Sequence, residues 1–130
     1  MSSGDDSFSF SGLKTAVRYL LPKLEDPNIA DLCASFQEAI VDVLVSKTIR
    51  AARRTGRKIV AVSGGVSCNS RLRERFAHEC AANGLELLLA EPALCTDNAA
   101  MIGYVAALYF AAGQASDFSL DIDPNLRLVA

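Results

Sequence analysis

The run Lys58-Ile59-Val60-Ala61-Val62-Ser63-Gly64-Gly65-Val66-Ser67-Cys68-Asn69 decides the fold. Ile59 to Val62 are uninterrupted apolar residues bounded by Gly56 and by the paired glycines, which predicts a strand buried on both faces. Downstream, Leu72, Phe76 and Cys80 recur at i, i+4 and i+8, the spacing of a helix, and Asn83-Gly84 supplies its stop. A second apolar run from Leu85 to Ala90 ends at Pro92, and a further helix is expected from Thr96 to Gly113. Strand, helix, strand, helix with short connections implies parallel pairing and an α/β layer.

Upstream of this unit, Phe8-Ser9-Phe10 alternates like a short strand, and Ser11 stands where a helix N-cap would accept a backbone N–H. Leu13, Val17, Leu20 and Leu21 then predict a helix over residues 12–21, closed by Pro22. Asp26-Pro27 opens a second helix, with no breaker before Gly56. Phe36, Ile40, Val43 and Leu44 share one face and Val41, Val45 and Ile49 another, so this helix is expected to lie between layers. Asp31, Ser35, Glu38 and Asp42 form its polar stripe, which reads as solvated. The tail, Gln114–Ala130, carries no element, and no repeat or low-complexity segment is visible.

The 130 residues are 51% apolar and 22% charged with a net charge of −2, which excludes intrinsic disorder. That length is enough for one domain burying about two-thirds of its unfolded surface. Apolar runs such as Ala99–Ala112 fall short of the ~20 residues that span a bilayer core, so no membrane association is expected. The acidic start, Met1 to Asp6, is unlike a signal peptide. Cys33, Cys68, Cys80 and Cys95 are widely spaced with no Cys-x-x-Cys pair, which argues against a zinc motif or a dense disulfide framework and for a reducing cytoplasm. With one His, the chain cannot supply a multi-histidine metal site by itself.

In open α/β sheets, ligands sit beyond the carboxyl ends of the strands. Ser63–Asn69 and Leu94–Asn98 are both expected there. Gly64 and Gly65 permit close backbone approach, and the helix start beyond them suits phosphate. Asn69 carries an amide able to donate and accept at once, as recognition of a ribose or base requires. The competing reading is a tight turn capped by Ser67 or Asn69, and the run matches neither the phosphate-loop nor the dinucleotide pattern. Asp97 is either a first-turn carboxylate behind a Thr96 cap or a ligand for a cation. His78 reads as a surface residue with no nucleophilic arrangement around it. Charge is segregated: residues 47–75 carry +8 and the rest −10. The basic window, Lys47, Arg50, Arg53, Arg54, Arg57, Lys58, Arg71, Arg73 and Arg75, has the footprint of a surface for a polyanion such as RNA, through phosphate contact and not base stacking.

Four motifs in order, Phe8-Ser-Phe-Ser-Gly-Leu-Lys-Thr15, Ser35-Phe-Gln-Glu-Ala39, Gly64-Gly-Val-Ser-Cys-Asn-Ser-Arg-Leu-Arg73 and Leu94-Cys-Thr-Asp-Asn-Ala-Ala-Met-Ile102, resemble the C-terminal part of the universal tRNA adenosine threonylcarbamoyltransferase family, formerly described as O-sialoglycoprotein endopeptidase or glycoprotease. The resemblance implies an α/β fold, the C-terminal RNase H-like lobe of the actin-like ATPase superfamily of sugar kinases and chaperones, partly truncated. It implies residues 1–7 as a linker or tag, 8–113 as the lobe and 114–130 as a C-terminal tail. The implied reaction transfers a threonylcarbamoyl group from its adenylate to the N6 amine of the adenosine next to the anticodon, in tRNAs reading codons that start with A. Implied partners are tRNA and the other subunits of a threonylcarbamoylation complex, in the cytoplasm.

By the same resemblance, Asn69 contacts the nucleotide part of the adenylate or ATP-type ligand, and Gly64 and Gly65 form the turn that approaches it. Asp97 is the family's C-terminal ligand to an iron or zinc ion shared with an H-x-x-x-H motif. That motif is absent, so the chain is expected to be a catalytically inert fragment of an enzyme that binds metal weakly. The alternative is a non-catalytic family member serving as an interaction subunit. A sugar or acetate kinase lobe would lack Cys95-Thr-Asp-Asn98, and the historical metallopeptidase reading ranks last because no nucleophile or zinc-helix motif is present.

Overall fold

The computed structural model describes residues 5–119, 121, 122 and 125. Two compact units are present, Met1–Thr96 and Asp97–Ala130. The first holds helices α1 (Ser11–Leu20), α2 (Ile29–Thr55) and α3 (Ser70–Ala82) and strands β1 (Ile59–Val62) and β2 (Glu86–Leu89). The second holds α4 (Ala99–Ala111).

β1 and β2 pair in parallel, with Ile59 opposite Glu86 and Val62 opposite Leu89, and α3 is the crossover between them. The expected strand–helix–strand order is therefore present. The core lies where one face of this pair meets α2 and α3: Val41, Val45, Ile49 and Ala52 of α2, Val60 of β1, and Leu72, Phe76 and Cys80 of α3 are all buried. The i, i+4, i+8 stripe on α3 is thus its core face.

Several boundaries and faces differ from expectation, each for a local reason. β1 is buried on one face only: Val60 is 6% exposed, whereas Ile59 is 53% exposed within a unit whose sheet has helices on one side. Phe8–Phe10 form no strand, and Ser11 is the first residue of α1 and not its cap. α2 starts after Asn28, whose Oδ1 accepts from the Ala30 and Asp31 N–H groups at 3.0 and 3.4 Å. Asp26 cannot be that cap, because it sits in the left-handed region at φ 47°. α2 ends as expected at Gly56, whose φ of 65° is the left-handed stop that lacks a Cβ penalty. Val41, Val45, Ile49 and Ala52 of this helix are buried in the core, and Lys47, on another face, is buried against Ser7, so burial is heaviest on one face and not equal on two as a place between layers requires. α4 begins at Ala99 and not Thr96, because Asn98 is its cap and accepts from the Met101 N–H at 3.1 Å. Residues 114–119 adopt no helix or strand, and the rest of the tail lies largely outside the described residues.

Candidate functional site

The parallel pairing places the ends of β1 and β2, and the turns that follow them, at one end of the sheet. After β1, Gly64 adopts φ 88° and ψ 164°, a region open essentially to glycine alone. The chain then makes a short 3₁₀ turn over Gly65–Cys68, fixed by Ser67 N–H donating to the Gly64 carbonyl at 2.9 Å. Gly65 packs against the second turn: a Cβ built on it would lie 3.8 Å from Thr96 Cγ2, an ordinary contact. The strict requirement for glycine therefore sits at Gly64.

Asn69 closes the turn and caps α3, its Oδ1 accepting from the Leu72 N–H at 2.9 Å. Its Nδ2 donates to Gln37 Oε1 on α2 at 2.7 Å. Both the capping role and a second, tertiary role are thus realised in one side chain. Arg73, one turn into α3, donates to the Ser67 carbonyl at 2.6 Å and the Ala90 carbonyl at 2.7 Å, so one guanidinium ties the turn after β1 to the end of β2. Buried Ser67 donates to Cys95 Sγ at 3.1 Å. That bond, helped by Arg73, holds the Cys95 thiol below its ordinary pKa.

Beside this turn an apolar cleft of about 590 Å³ runs between α2, α3 and the end of β1, lined by Phe8, Phe10, Leu44, Ser63, Val66 and Ser67 among others. Asn69 is not among its lining residues, being turned toward Gln37. Asp97 belongs to the second unit and immediately precedes the Asn98 cap of α4, so it is not the first-turn carboxylate that one reading required. Among the described residues, no group of three or more His, Cys, Asp or Glu side chains is placed to hold a metal ion. Asp97 alone does not fit an iron or zinc site, which takes several N, O or S ligands.

Five of the nine basic side chains of the window, Lys47, Arg50, Arg54, Arg71 and Arg75, pair with acids outside it. Arg71 makes a two-pronged pair with Glu38, Nε to Oε2 and Nη2 to Oε1 both at 2.8 Å, and Arg75 bridges Glu38 at 3.1 Å and Asp42 at 2.9 Å. Glu38 and Asp42 are therefore not the solvated stripe the sequence suggested. The hydrogen bonds from Arg71 hold the Glu38 carboxyl below its ordinary pKa. At the far end, Arg50 and Arg54 both hold Asp6, and buried Lys47 donates to the Ser7 carbonyl at 2.6 Å. Arg53, Arg57 and Lys58 make no ion pair among the described residues. His78 stands on the surface beside Glu79, as expected.

The sequence places Glu38 in a solvated stripe, Ser67 as a possible cap and Arg73 on a surface for a polyanion, and assigns Gln37 no contact; none of these foresees the bonds found here. One signal could have found Glu38: Glu38 and Asp42 repeat at i, i+4, as do Arg71 and Arg75, so two helices crossing with those faces together match charge for charge. No described helix is long and apolar enough to cross a membrane.

The sequence model of the family described as tRNA N6-adenosine threonylcarbamoyltransferase matches residues 2–104. A protein of that name from Geobacter sulfurreducens is 48% identical over 98% of this chain and 38% of its own length. One from Bdellovibrio bacteriovorus is 48% identical over 97% of this chain and 38% of its own length, and one from Clostridium beijerinckii 47% identical over 93% and 37%. The chain spans well under half the length of these relatives while matching them along nearly all of its own. The chain therefore belongs to the tRNA N6-adenosine threonylcarbamoyltransferase family.

Proposed function

We propose that this chain is part of an enzyme that moves a threonylcarbamoyl group from threonylcarbamoyl-adenylate to the N6 amine of the adenosine next to the anticodon, in tRNAs reading codons that start with A. The observation that carries this reading is 48% identity over 98% of the chain to a protein bearing that activity in its name. In the reaction, the bond between the carbamoyl carbon and the phosphate oxygen breaks and a carbon–N6 bond forms, with AMP leaving and one proton released. The β1–α3–β2 unit would belong to the C-terminal RNase H-like lobe of an actin-like ATPase fold.

The first turn is the segment suited to the adenylate. Gly64 and Gly65 bring backbone without side chains to the start of α3, where the helix dipole favours the phosphate. Asn69 spends its oxygen on the α3 cap and one N–H on Gln37, which leaves one amide N–H for the nucleotide. Asp97 would supply a single carboxylate to an iron or zinc ion completed by groups of the parent enzyme. Of the basic window, Arg53, Arg57 and Lys58 are the side chains best placed for tRNA phosphate, since the others already serve acids or carbonyls of this chain. Partner subunits would complete the assembly in the cytoplasm.

The purified chain, incubated with tRNA and threonylcarbamoyl-adenylate, is expected to yield no threonylcarbamoyladenosine when the tRNA nucleosides are weighed. Product formed by this chain alone would overturn the inert-fragment reading. In the parent enzyme, Asn69→Ala should raise the KM for the adenylate more than it lowers kcat; an unchanged KM would remove Asn69 from the nucleotide site.

A further inference from the structure

Cysteines that are scattered in sequence meet at the sheet end. Cys68 closes the turn after β1, and Cys95 lies in the turn after β2. Their thiols donate to neighbouring carbonyls of the same turn, Cys68 Sγ to Pro92 at 3.8 Å and Cys95 Sγ to Glu91 at 3.2 Å. Ser67, next to Cys68 in the chain, donates to Cys95 Sγ at 3.1 Å, and the carbonyls that the two thiols meet belong to the adjacent residues Glu91 and Pro92. Cys68 is exposed, whereas Cys95 is 4% exposed and screened by Ser67 and Arg73. All four cysteines are free thiols.

We propose that Cys68 and Cys95 form a redox-modifiable thiol pair, in which the exposed Cys68, against the Pro92 carbonyl, takes the oxidant and the sheltered Cys95, against the neighbouring Glu91 carbonyl, resolves it as a disulfide. The chemistry balances with a peroxide as oxidant. Hydrogen peroxide converts the Cys68 thiol to a sulfenic acid, releasing one water; the Cys95 thiol then displaces the sulfenic oxygen as a second water, leaving the S–S bond. Two thiols are oxidised by two electrons, and the peroxide is reduced by the same two. The product covalently joins the turn after β1 to the turn after β2, a link that Arg73 makes by hydrogen bonds alone in the reduced chain. The inference stands on the placement of the two sulfurs and is independent of what the turn binds.

The experiment uses the full reduced chain treated with hydrogen peroxide, followed by thiol titration and non-reducing peptide mapping. Trypsin cuts at Arg71 and Arg75, and a glutamate-specific protease cuts after Glu86 or Glu91, which separates Cys80 from Cys95. Free thiols are expected to fall from four to two per monomer, with a Cys68–Cys95 peptide pair that dithiothreitol reverses. In Cys68→Ser, chosen because the exposed position leaves the core intact, Cys95 should stay reduced at peroxide doses that close the wild-type pair. Cys95 oxidising equally fast in that variant would overturn the proposal. So would Cys68 passing to sulfinic acid, or linking to Cys33 of another copy, without the Cys68–Cys95 peptide.

Discussion

The two halves of α2 are fastened to α3 by opposite kinds of contact. From Val41 onward the helix is held chiefly by an apolar stripe, Val41, Val45, Ile49 and Ala52, packed with Leu72, Phe76 and Cys80, with Asp42–Arg75 as the one ion pair to α3 among the described residues. From Ile29 to Ile40 no residue is buried, and the ties to α3 are polar: Gln37 to Asn69, and Glu38 to Arg71 and Arg75. The apolar side chains of that first half, Ile29, Leu32 and Phe36, face Val17 and Leu21 of the N-terminal helical segment across an open groove of about 370 Å³. Burial gives strength without direction, whereas hydrogen bonds give direction with little net energy. The core end therefore sets stability, and the polar end sets where the start of α3, and the turn before it, is aimed.

The largest expected effect is at the apolar end. Phe76→Ala should cost roughly 3–5 kcal/mol, read as a lowered urea midpoint, because it leaves a cavity under α2. Phe36→Ala, at a half-buried position on the open groove, should cost only about 1 kcal/mol. Equal losses at the two positions would erase the contrast. Gly64→Ala should cost about 1–3 kcal/mol, since its backbone angles are forced on any residue with a Cβ; a neutral result would mean that the turn can relax to another conformation.

Asn69→Ala should cost about 1 kcal/mol through the lost cap, with faster amide exchange confined to the first turn of α3. Exchange rising evenly through α3 would place the residue in the core's energetics and not at the aiming end. The smallest effect is a pH dependence. Glu38 has a lowered pKa in the folded chain, so its contribution is complete above the ordinary carboxylate value of 4.5 and is lost as pH falls through the folded value. Glu38→Gln should flatten stability against pH on that acid side and leave the neutral region little changed, because the pair is partly solvent-exposed. An unaltered acid limb would show that Arg71 holds Glu38 without energetic consequence.

Local signals in the chain were enough for the strand–helix–strand order, the core stripe of α3, the Gly56 stop and the turn that holds Gly64 and Asn69. Each rests on nearest-neighbour physics: apolar periodicity, or the backbone freedom of glycine. The starts of α2 and α4 were misplaced because Asn28 and Asn98 compete for the cap with residues that look equally suitable in one dimension. Burial of β1 was overstated because an apolar run reports what could be buried, and only the layers packed on it decide what is.

The sequence by itself determined the family, through four motifs at fixed order, and the position of the glycine turn. Tertiary structure alone decided the use of the polar residues. It turned Glu38 and Asp42 from a solvated stripe into partners of Arg71 and Arg75, tied five of the nine basic side chains of the +8 window to acids outside it, and brought Cys68 and Cys95 against neighbouring carbonyls. The physical reason is range: apolar period and glycine conformation are written locally, whereas a hydrogen bond or ion pair exists only once distant segments arrive at about 3 Å.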